Sequence, residues 1–398
     1  MPRPRLIRLS TAPSFLWSFM DGQGAYLKER GFDVHCISSP GELLDKFAQR
    51  EGVPVYPVTM HRAISVGADA VAGIRLLGLF RRLRPDIVHG TTPKAAALAL
   101  IASRILGVPV RIYHAAGLRW WTLTGARRRL TMLGEKIGCS MAHLVICASP
   151  SVREAMVAHG LCPAEKAVVL GSGHTNGVEV EHRFNPERFD ADTLTRMRAQ
   201  FGIPAGAVVA GFVGRLVRDK GIEELAAAWQ LVRDQVPSLH LLLVGHFEKW
   251  DPVSQEARHL LETDPRVHLA GWLEDVIPAY AAMDMCVLPS HREGLPTVAL
   301  EANAMRLPVI AADAIGSVDA VVDGVTGRLV PVDNAEALAA AIRRYADDPE
   351  LRGRHGDAGR ERVCREFSRP VIWEELVGHY IRLLKEKGRP LPQPSDPS

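Results

Sequence analysis

The chain has 398 residues, 47% of them hydrophobic and 23% charged, with a formal net charge of +3. That length excludes one ordinary core and predicts two domains of roughly 150–200 residues each, in a composition ordinary for a soluble globular protein. Six scattered cysteines, Cys36, Cys139, Cys147, Cys162, Cys286 and Cys364, include no C-x-x-C pair and no metal-ligand spacing. They argue against a disulfide framework and a structural zinc site and for a reducing, cytoplasmic compartment.

The small net charge hides an asymmetry. Residues 1–185 hold 23 basic against 13 acidic side chains, and the remainder 25 against 32. A basic half joined to an acidic half predicts that the first half meets something anionic, such as a membrane surface or a phosphorylated acceptor.

Along the chain, RPRLIRLSTAPSFLWSFM places basic residues before apolar ones. Arg8 breaks the first apolar run, however, and Asp21 follows with no small-residue cleavage pattern. Residues 5–10 are therefore expected to be a first strand rather than part of a secretion signal. Further strands are predicted at 33–38 (DVHCIS), 86–90 (DIVHG), 110–114 (VRIYH) and 144–149 (LVICAS). A second series follows at 208–214, 240–245, 285–289 and 308–312, with helical patterns such as IEELAAAWQLVRDQV (222–236) between them. Strands alternating with helices build parallel sheets from βαβ units, and two series mean two sheets. A turn-rich seam near 182–205 divides a first domain, 1–185, from a second, 186–370. A last amphipathic helix at about 371–388 is expected to pack back on the first domain, and the Pro/Ser-rich segment 389–398 to form a disordered tail. No apolar run reaches 18 residues, so no membrane-spanning helix is expected.

Open parallel sheets bind ligands in the loops that follow their strands. After 208–214 comes RLVRDKG, in which Arg215 and Lys220 stand just before a helix opening at Ile222. A guanidinium can grip two oxygens of a diphosphate, an ammonium adds a mobile point charge, and the helix N-terminus favours the same anion. The plainer reading of these residues is a solvated basic turn. After 285–289 comes SHREGLP, and Pro296 or Thr297 begins the next helix. The stretch Gly294, Leu295, Pro296, Thr297 then offers N–H groups to an anion. Glu301 shares a helix face with Thr297, and its carboxylate can accept from both hydroxyls of a ribose. Glu293 would face the other end of an elongated ligand. Eight residues of helix cover up to roughly 12 Å, the order needed for a nucleoside diphosphate bearing a sugar. Against this stands the reading of both glutamates as surface charges, weaker for Glu301 because its neighbours are apolar.

E-x7-E after a strand ending in PS, with GRL…KG well upstream, resembles family 4 of the retaining glycosyltransferases. The likeness extends to LLLVG (241–245), VHLAGWLEDVIPAYAAMDMCVLPS (267–290), GVTGRLVP (324–331) and SGHTNGVEVEHRF (172–184). It implies the GT-B fold, an α/β architecture of two Rossmann-like domains facing across a cleft. It implies that Arg215 and Lys220 bind the donor diphosphate and stabilise the leaving nucleotide. Glu301 would hold the ribose, and Glu293 with the backbone at Gly294–Leu295 would orient the transferred sugar. Gly271, Trp272 and Leu273, following a strand, would pack against the base through main-chain groups. The substrate would be a nucleotide sugar, by expectation UDP-linked, and neither metal nor cofactor is implied.

In the first half, RIYHAAGLR puts His114 at a strand end, where the family pattern has a histidine near the sugar's reacting carbon; the plainer reading is a histidine satisfied at a domain interface. His89, ending DIVHG, is expected to be structural. Many relatives carry a paired-glycine loop after the first strand. Here Gly22 and Gly24 are split by Gln23, which still permits close backbone approach to phosphate.

This split pair, with HGTTPKAAALAL (89–100), resembles bacterial transferases that elongate polyprenyl-diphosphate-linked sugars. Two segments fit such an acceptor. VAGIRLLGLFRRLR (71–84) mixes Ile74, Leu77 and Phe80 with four arginines, and RWWTLTGARRRLTMLGEKIG (119–138) joins Trp120 and Trp121 to three in a row. Cations beside apolar anchors suit an anionic membrane surface, against the plainer readings of a core helix and an interdomain loop. No motif supports nucleic acid as a partner. The expected protein is a retaining, metal-independent hexosyl- or N-acetylhexosaminyltransferase, peripheral on the inner membrane. Its acceptor would be a lipid-linked glycan in surface polysaccharide or glycoconjugate synthesis. The alternatives are a UDP-sugar 2-epimerase of the same fold and a non-catalytic subunit that binds nucleotide sugar.

Overall fold

The first series of strands pairs into one parallel sheet and the second into another. In a computed structural model that describes residues 3–61 and 65–393, the first series is β1 (Arg5–Leu9), β2 (Asp33–Ser38), β3 (Val55–Pro57), β4 (Ile87–Thr91), β5 (Val110–Ala115), β6 (Leu144–Cys147) and β7 (Ala167–Val169). These lie in the order β3-β2-β1-β4-β5-β6-β7. The second series is β8 (Val208–Val213), β9 (Leu239–Val244), β10 (Val267–Gly271), β11 (Met285–Leu288), β12 (Val309–Ala312) and β13 (Gly327–Val330), in the order β10-β9-β8-β11-β12-β13. Both orders reverse direction once, between β1 and β4 and between β8 and β11. At such a point the following loops part and leave a crevice at the strands' C-terminal ends.

Interior strands are apolar throughout because helices cover both faces of a parallel sheet. Every residue of β4 and of β11 is buried. The strands with no counterpart in the sequence reading, β3, β7 and β13, are all sheet edges of three or four residues and partly exposed; the fourth edge, β10, was expected only as the strand before Gly271.

The chain divides into two units, Met1–Gly177 with Pro370–Ser398, and Val178–Arg369. The boundaries expected from the sequence were 185/186 and 370/371. In the first unit one face of the sheet is packed by short helices near the N-terminus and by the last helix, Arg369–Glu386, through Ile372, Leu376, Tyr380 and Leu384. Its other face is packed by Leu76, Leu79 and Phe80 of the helix Val66–Leu83 and by the alanines of Pro93–Ile105. Phe80, expected as a surface anchor, is thus core.

Of the expected disordered tail, residues 394–398 lie outside the described residues, and 389–393 are held. Arg389 gives two hydrogen bonds, 2.9 and 2.6 Å, to Asp86. The main chain of Gln393 lies so near Gly31 that a Cβ there would come within 2.1 Å of its carbonyl oxygen. Among the described residues no helix is long and apolar enough to cross a membrane.

Candidate functional site

In the second unit the loops after β8 and β11 meet. The chain leaves β8 through Gly214 to Arg215, makes a tight turn at Arg218–Lys220 and enters the helix Ile222–Val232. Gly221, at φ 73°, joins turn to helix, and a Cβ there would lie 2.1 Å from the carbonyl oxygen of Pro289, just past β11. Only glycine allows that approach together with that φ. Three contacts then join the loops. The His291 N–H donates to the Asp219 carbonyl at 3.1 Å, the Arg292 guanidinium bonds the Asp219 carboxylate at 2.8 Å, and Lys220 Nζ lies 2.5 Å from Glu293 Oε1. Two residues selected from separate motifs thus form one ion pair, with side chains 19% and 12% exposed. Behind Glu293 its own N–H donates to Ile315 O at 2.9 Å.

Arg215 does not join this pair. It is exposed, with its guanidinium 4.8 Å from the centre of the Trp250 ring. A cation lying over a ring keeps its N–H edge available to an anion.

The next helix, Thr297–Ala304, starts after Pro296 with no side-chain cap. Its N-terminus points to the same end as Glu293 and Gly294, with the positive end of the helix dipole there. Leu295 and Pro296 are buried, while Thr297, Val298 and Glu301 keep a small part of their surface exposed, with the Glu301 carboxyl on the buried side. Tyr280, buried, donates its hydroxyl to Glu301 at 2.9 Å. Burial raises the Glu301 carboxyl to about 7, and the Tyr280 bond and the charges of Arg183 and Arg369 offset part of that rise. Tyr280 was not among the residues expected at the site, although it lies within the quoted AYAAMD stretch.

Gly271 closes β10 at φ 66°, and its carbonyl accepts from Gly245 N–H at 2.7 Å. Leu273 packs on the core, but the Trp272 indole is 66% exposed, so this stretch offers an aromatic face besides main-chain groups. β10 stands two strands from β8, a separation of about 10 Å in a sheet. The residues expected for diphosphate and base therefore lie along one sheet end, about 10 Å apart.

One group of described residues could hold a metal. Ligand atoms of Glu224, His291 and Asp333 lie within 4.8 Å of one another. At present the ring lies between two carboxylates: His291 Nε2 is 3.0 Å from Glu224 and 3.1 Å from Asp333. The hydrogen bond to Glu224 raises the His291 value above that of a free histidine.

In the first unit His114, in β5, is buried. Its Nε2 is 3.3 Å from the Thr175 hydroxyl, and its ring stacks on His89 of β4 at 5.5 Å and 17°. His89 is also buried, and its Nδ1 lies 2.6 Å from the Tyr380 hydroxyl of the last helix. Beside them Arg8, in β1 and in register with His89, is fully buried and pairs with no carboxylate among the described residues. The sequence reading took Arg8 only as a break in an apolar run, and that break was the signal for a buried charge.

The glycine loop differs from its expected role. The N–H groups of Gly22 and Gly24 donate to the two oxygens of Glu51 at 3.0 Å each, and Glu51 is 3% exposed. A resident carboxylate stands where a phosphate was expected.

The helix Gly125–Met141 exposes Leu130 (53%), Leu133 (54%) and Ile137 on one stripe, flanked by Arg127, Arg129 and Lys136. Trp121 is exposed beside it, while Trp120 is buried. In the helix Val66–Leu83, Val71 and Ile74 are exposed with Arg75, Arg81 and Arg82.

Comparison with known proteins gives a consistent result. Residues 207–348 match the family described as glycosyl transferases group 1, and residues 17–173 the glycosyl transferase 4-like domain. The chain is 33% identical to the capsular polysaccharide biosynthesis glycosyltransferase CapM of Staphylococcus aureus, over 92% of this chain and 94% of that one. It is 32% identical to the GDP-mannose-dependent alpha-mannosyltransferase of Mycolicibacterium smegmatis, over 90% and 91%. To the UDP-Gal:alpha-D-GlcNAc-diphosphoundecaprenol alpha-1,3-galactosyltransferase of Escherichia coli it is 25% identical, over 82% and 83%. The crystal structure of Anabaena HepE in complex with UDP-glucose superposes with a TM-score of 0.79 at 20% identity, covering 94% of this chain and 99% of that one, a likeness of fold. None of these relatives supports the epimerase alternative.

Proposed function

The chain belongs to the group 1 glycosyl transferases, and from that premise we propose that it moves a sugar from a nucleoside diphosphate to a lipid-linked glycan acceptor during surface polysaccharide assembly. The observation that carries the donor half is the Lys220–Glu293 pair at 2.5 Å beside the uncapped helix that bears Glu301. With the donor bound, Lys220 turns from Glu293 to the diphosphate, and Arg215 closes on it from solvent. As the bond from the sugar to the leaving phosphate stretches, negative charge grows on the diphosphate. Lys220, Arg215 and the helix N-terminus then receive that charge. Glu293, released by Lys220, accepts from hydroxyls of the transferred sugar. Glu301 accepts from the ribose, and Trp272 stacks on the base.

These groups supply the electrostatic work without a metal. In this reading the acceptor attacks from the face the diphosphate leaves, within an ion-pair-like state, so that the anomeric configuration is retained. His114 bonds a hydroxyl of the donor sugar near its reacting carbon. UDP is the proposed nucleotide, supported by the donor named for the Escherichia coli relative. The mannosyltransferase relative makes GDP the competitor to test.

The acceptor half rests on the apolar stripe Leu130, Leu133, Ile137 with its flanking cations and the Trp121 indole. Such a face suits the anionic headgroup boundary where a polyprenyl-linked acceptor would sit. The nucleotide assignment is tested by thermal stabilisation with UDP, GDP and ADP on wild type and Glu301→Ala. Selective stabilisation by UDP, lost in the variant, is expected. Selective stabilisation by GDP would replace the base, and no stabilisation by any of them would remove the donor site.

A further inference from the structure

Buried in the first unit is a polar cluster that the transfer chemistry above does not use. Arg8 is fully buried in β1, and its Nε and Nη2 have no partner among the described residues. Its Nη1 donates to Gln23 Oε1 and, at 3.3 Å, to the Tyr380 hydroxyl oxygen. A guanidinium has no acceptor, so every bond around it has a fixed direction. Gln23 must present its oxygen to Arg8, and its amide then donates to Asn176 Oδ1 at 3.0 Å. Asn176 in turn donates to Asp21 O, and its Oδ1 also accepts from the Trp373 indole at 2.9 Å.

The other branch is one-way as well. Tyr380 Oη accepts from Arg8, so its own hydrogen is directed at His89 Nδ1, 2.6 Å away. His89 Nδ1 is then an acceptor and the ring carries its proton on Nε2, a buried atom with no partner among the described residues, so the Tyr380 bond alone sets the tautomer. A protonated His89 would set an N–H against the tyrosine, whose hydrogen would have only the arginine left to face. β4 and β5 hold His89 and His114 on one face of the sheet, in stacked contact.

We propose that Arg8 and Tyr380 are positioning residues for His114. A donor-only guanidinium starts a one-way hydrogen-bond chain that fixes His89 as the neutral Nε2–H ring against which His114 stacks. The last helix, far away in sequence, thereby sets the state of a histidine at the end of β5. This rests on the reading that His114 contacts the donor sugar. The titratable and charged groups facing the stack are Arg8 on β1, Cys36 beside it on β2, His174 on the 172–177 loop and Tyr380 on the last helix. The nearest carboxylate is Glu51, which acts on Cys36 from beyond Gln23 and is held by the N–H groups of Gly22 and Gly24. Burial, reinforced by the Arg8 charge, holds His89 well below the ordinary histidine value and His114 down to about 3. His114 therefore meets substrate as a neutral imidazole across the working pH range.

The test uses the full chain and three variants, Tyr380→Phe, Arg8→Met and His114→Ala. The readouts are imidazole 15N shifts and kcat at saturating donor between pH 5.5 and 8. In wild type His89 should show the Nε2–H neutral pattern throughout. Tyr380→Phe should give mixed tautomers at His89 and lower kcat about tenfold with the donor KM unchanged, as expected for a misplaced catalytic group. Arg8→Met should keep its melting temperature, because an unpaired buried charge leaves, yet add an acid limb to kcat as the histidines titrate nearer their ordinary value. A cationic His89 in wild type, or a Tyr380→Phe variant with wild-type 15N shifts and kcat, overturns the relay. Unchanged kcat in His114→Ala overturns instead the reading on which the relay rests.

Discussion

In the second unit the loops beyond β8 and β11 carry their charges as pairs: Lys220 with Glu293, Arg292 with Asp219, His291 with Glu224. In the first unit, with the same reversal of strand order, Lys94 just past β4 is likewise paired, with Asp69 at 2.6 Å, but Arg8 within β1 is buried with no carboxylate partner, and the exposed cations Arg127, Arg129 and Lys136 of the helix Gly125–Met141 have no acid partner among the described residues. The unit Met1–Gly177 with Pro370–Ser398 contains 26 basic and 15 acidic side chains, the other 22 and 30. The difference teaches that one strand order supports two electrostatic designs. A paired site rests until an anion competes for its cations. An unpaired cation instead polarises what surrounds it, or waits for a surface.

The largest effect that would sharpen this contrast is at Lys220. Lys220→Ala should lower transfer about 10²–10³-fold, the loss seen when one donor to developing charge is removed. Its melting temperature should change little, because a partly exposed pair contributes about 0–1 kcal/mol. Rate by release of nucleoside diphosphate and stability by calorimetry are to be measured on the same preparation. A fall in stability that accounts for the lost rate would make the pair structural and erase the contrast.

The complementary test addresses the unpaired cations of the first unit. Replacing Arg127, Arg129 and Lys136 with Glu should weaken binding to vesicles rich in anionic lipid by about 1 kcal/mol or more per residue in contact. The loss should shrink at high salt. Equal sedimentation of variant and wild type would mean that these cations face no membrane.

How far the sequence showed this follows from where its signals lie. Apolar runs mark the interior strands because both faces are covered, so β1, β2, β4, β5 and β6 were readable, while the edges β3, β7 and β13 are only three or four residues long and too short to mark a strand. Glu293, Glu301, Arg215 and Lys220 were readable because each follows a strand in a short motif. Their pairing was only partly readable, since Lys220 meets Glu293 through the close approach of Gly221 to Pro289. Gly22 and Gly24 misled because spacing shows that N–H groups are accessible and not which acid takes them; Glu51 comes from the end of a different helix. The Tyr380 contribution to the first unit crosses nearly the whole chain, and no local pattern carries it.

A smaller effect concerns Glu301. Its carboxyl, raised to about 7 by burial, is partly protonated in the resting protein near neutrality. Accepting two ribose hydroxyls favours the ionised form, so donor binding should release a proton and tighten as pH rises from 6 to 8. Titration calorimetry in buffers of different ionisation enthalpy reads this directly. It should use the nucleotide sugar, because the terminal phosphate of a free diphosphate titrates near about 6 itself. Glu301→Gln should abolish the proton release and cost about 1.5–3 kcal/mol of affinity, the range for hydrogen bonds to a charged group. Proton uptake in wild type would place the carboxyl away from the ribose.

The smallest effect decides whether the second unit's pairs are only pairs. His291 is raised above the ordinary value by its bond to Glu224, with Asp333 adding to it. A raised histidine contributes its stability fully below the unfolded value, about 6.5, and loses it as pH rises through the folded value. His291→Gln should therefore cost about 0.5 kcal/mol at pH 6, discounted because the group is half exposed, and almost nothing at pH 9. A metal held by Glu224, His291 and Asp333 would give the opposite slope, because a ligating imidazole must be neutral and the site would strengthen with pH. Melting curves at pH 6 and pH 9, with and without a chelator, separate the two. A deficit confined to pH 6 and indifferent to chelator leaves the cluster an ion pair, and the site beside it one that works with fixed protein charges.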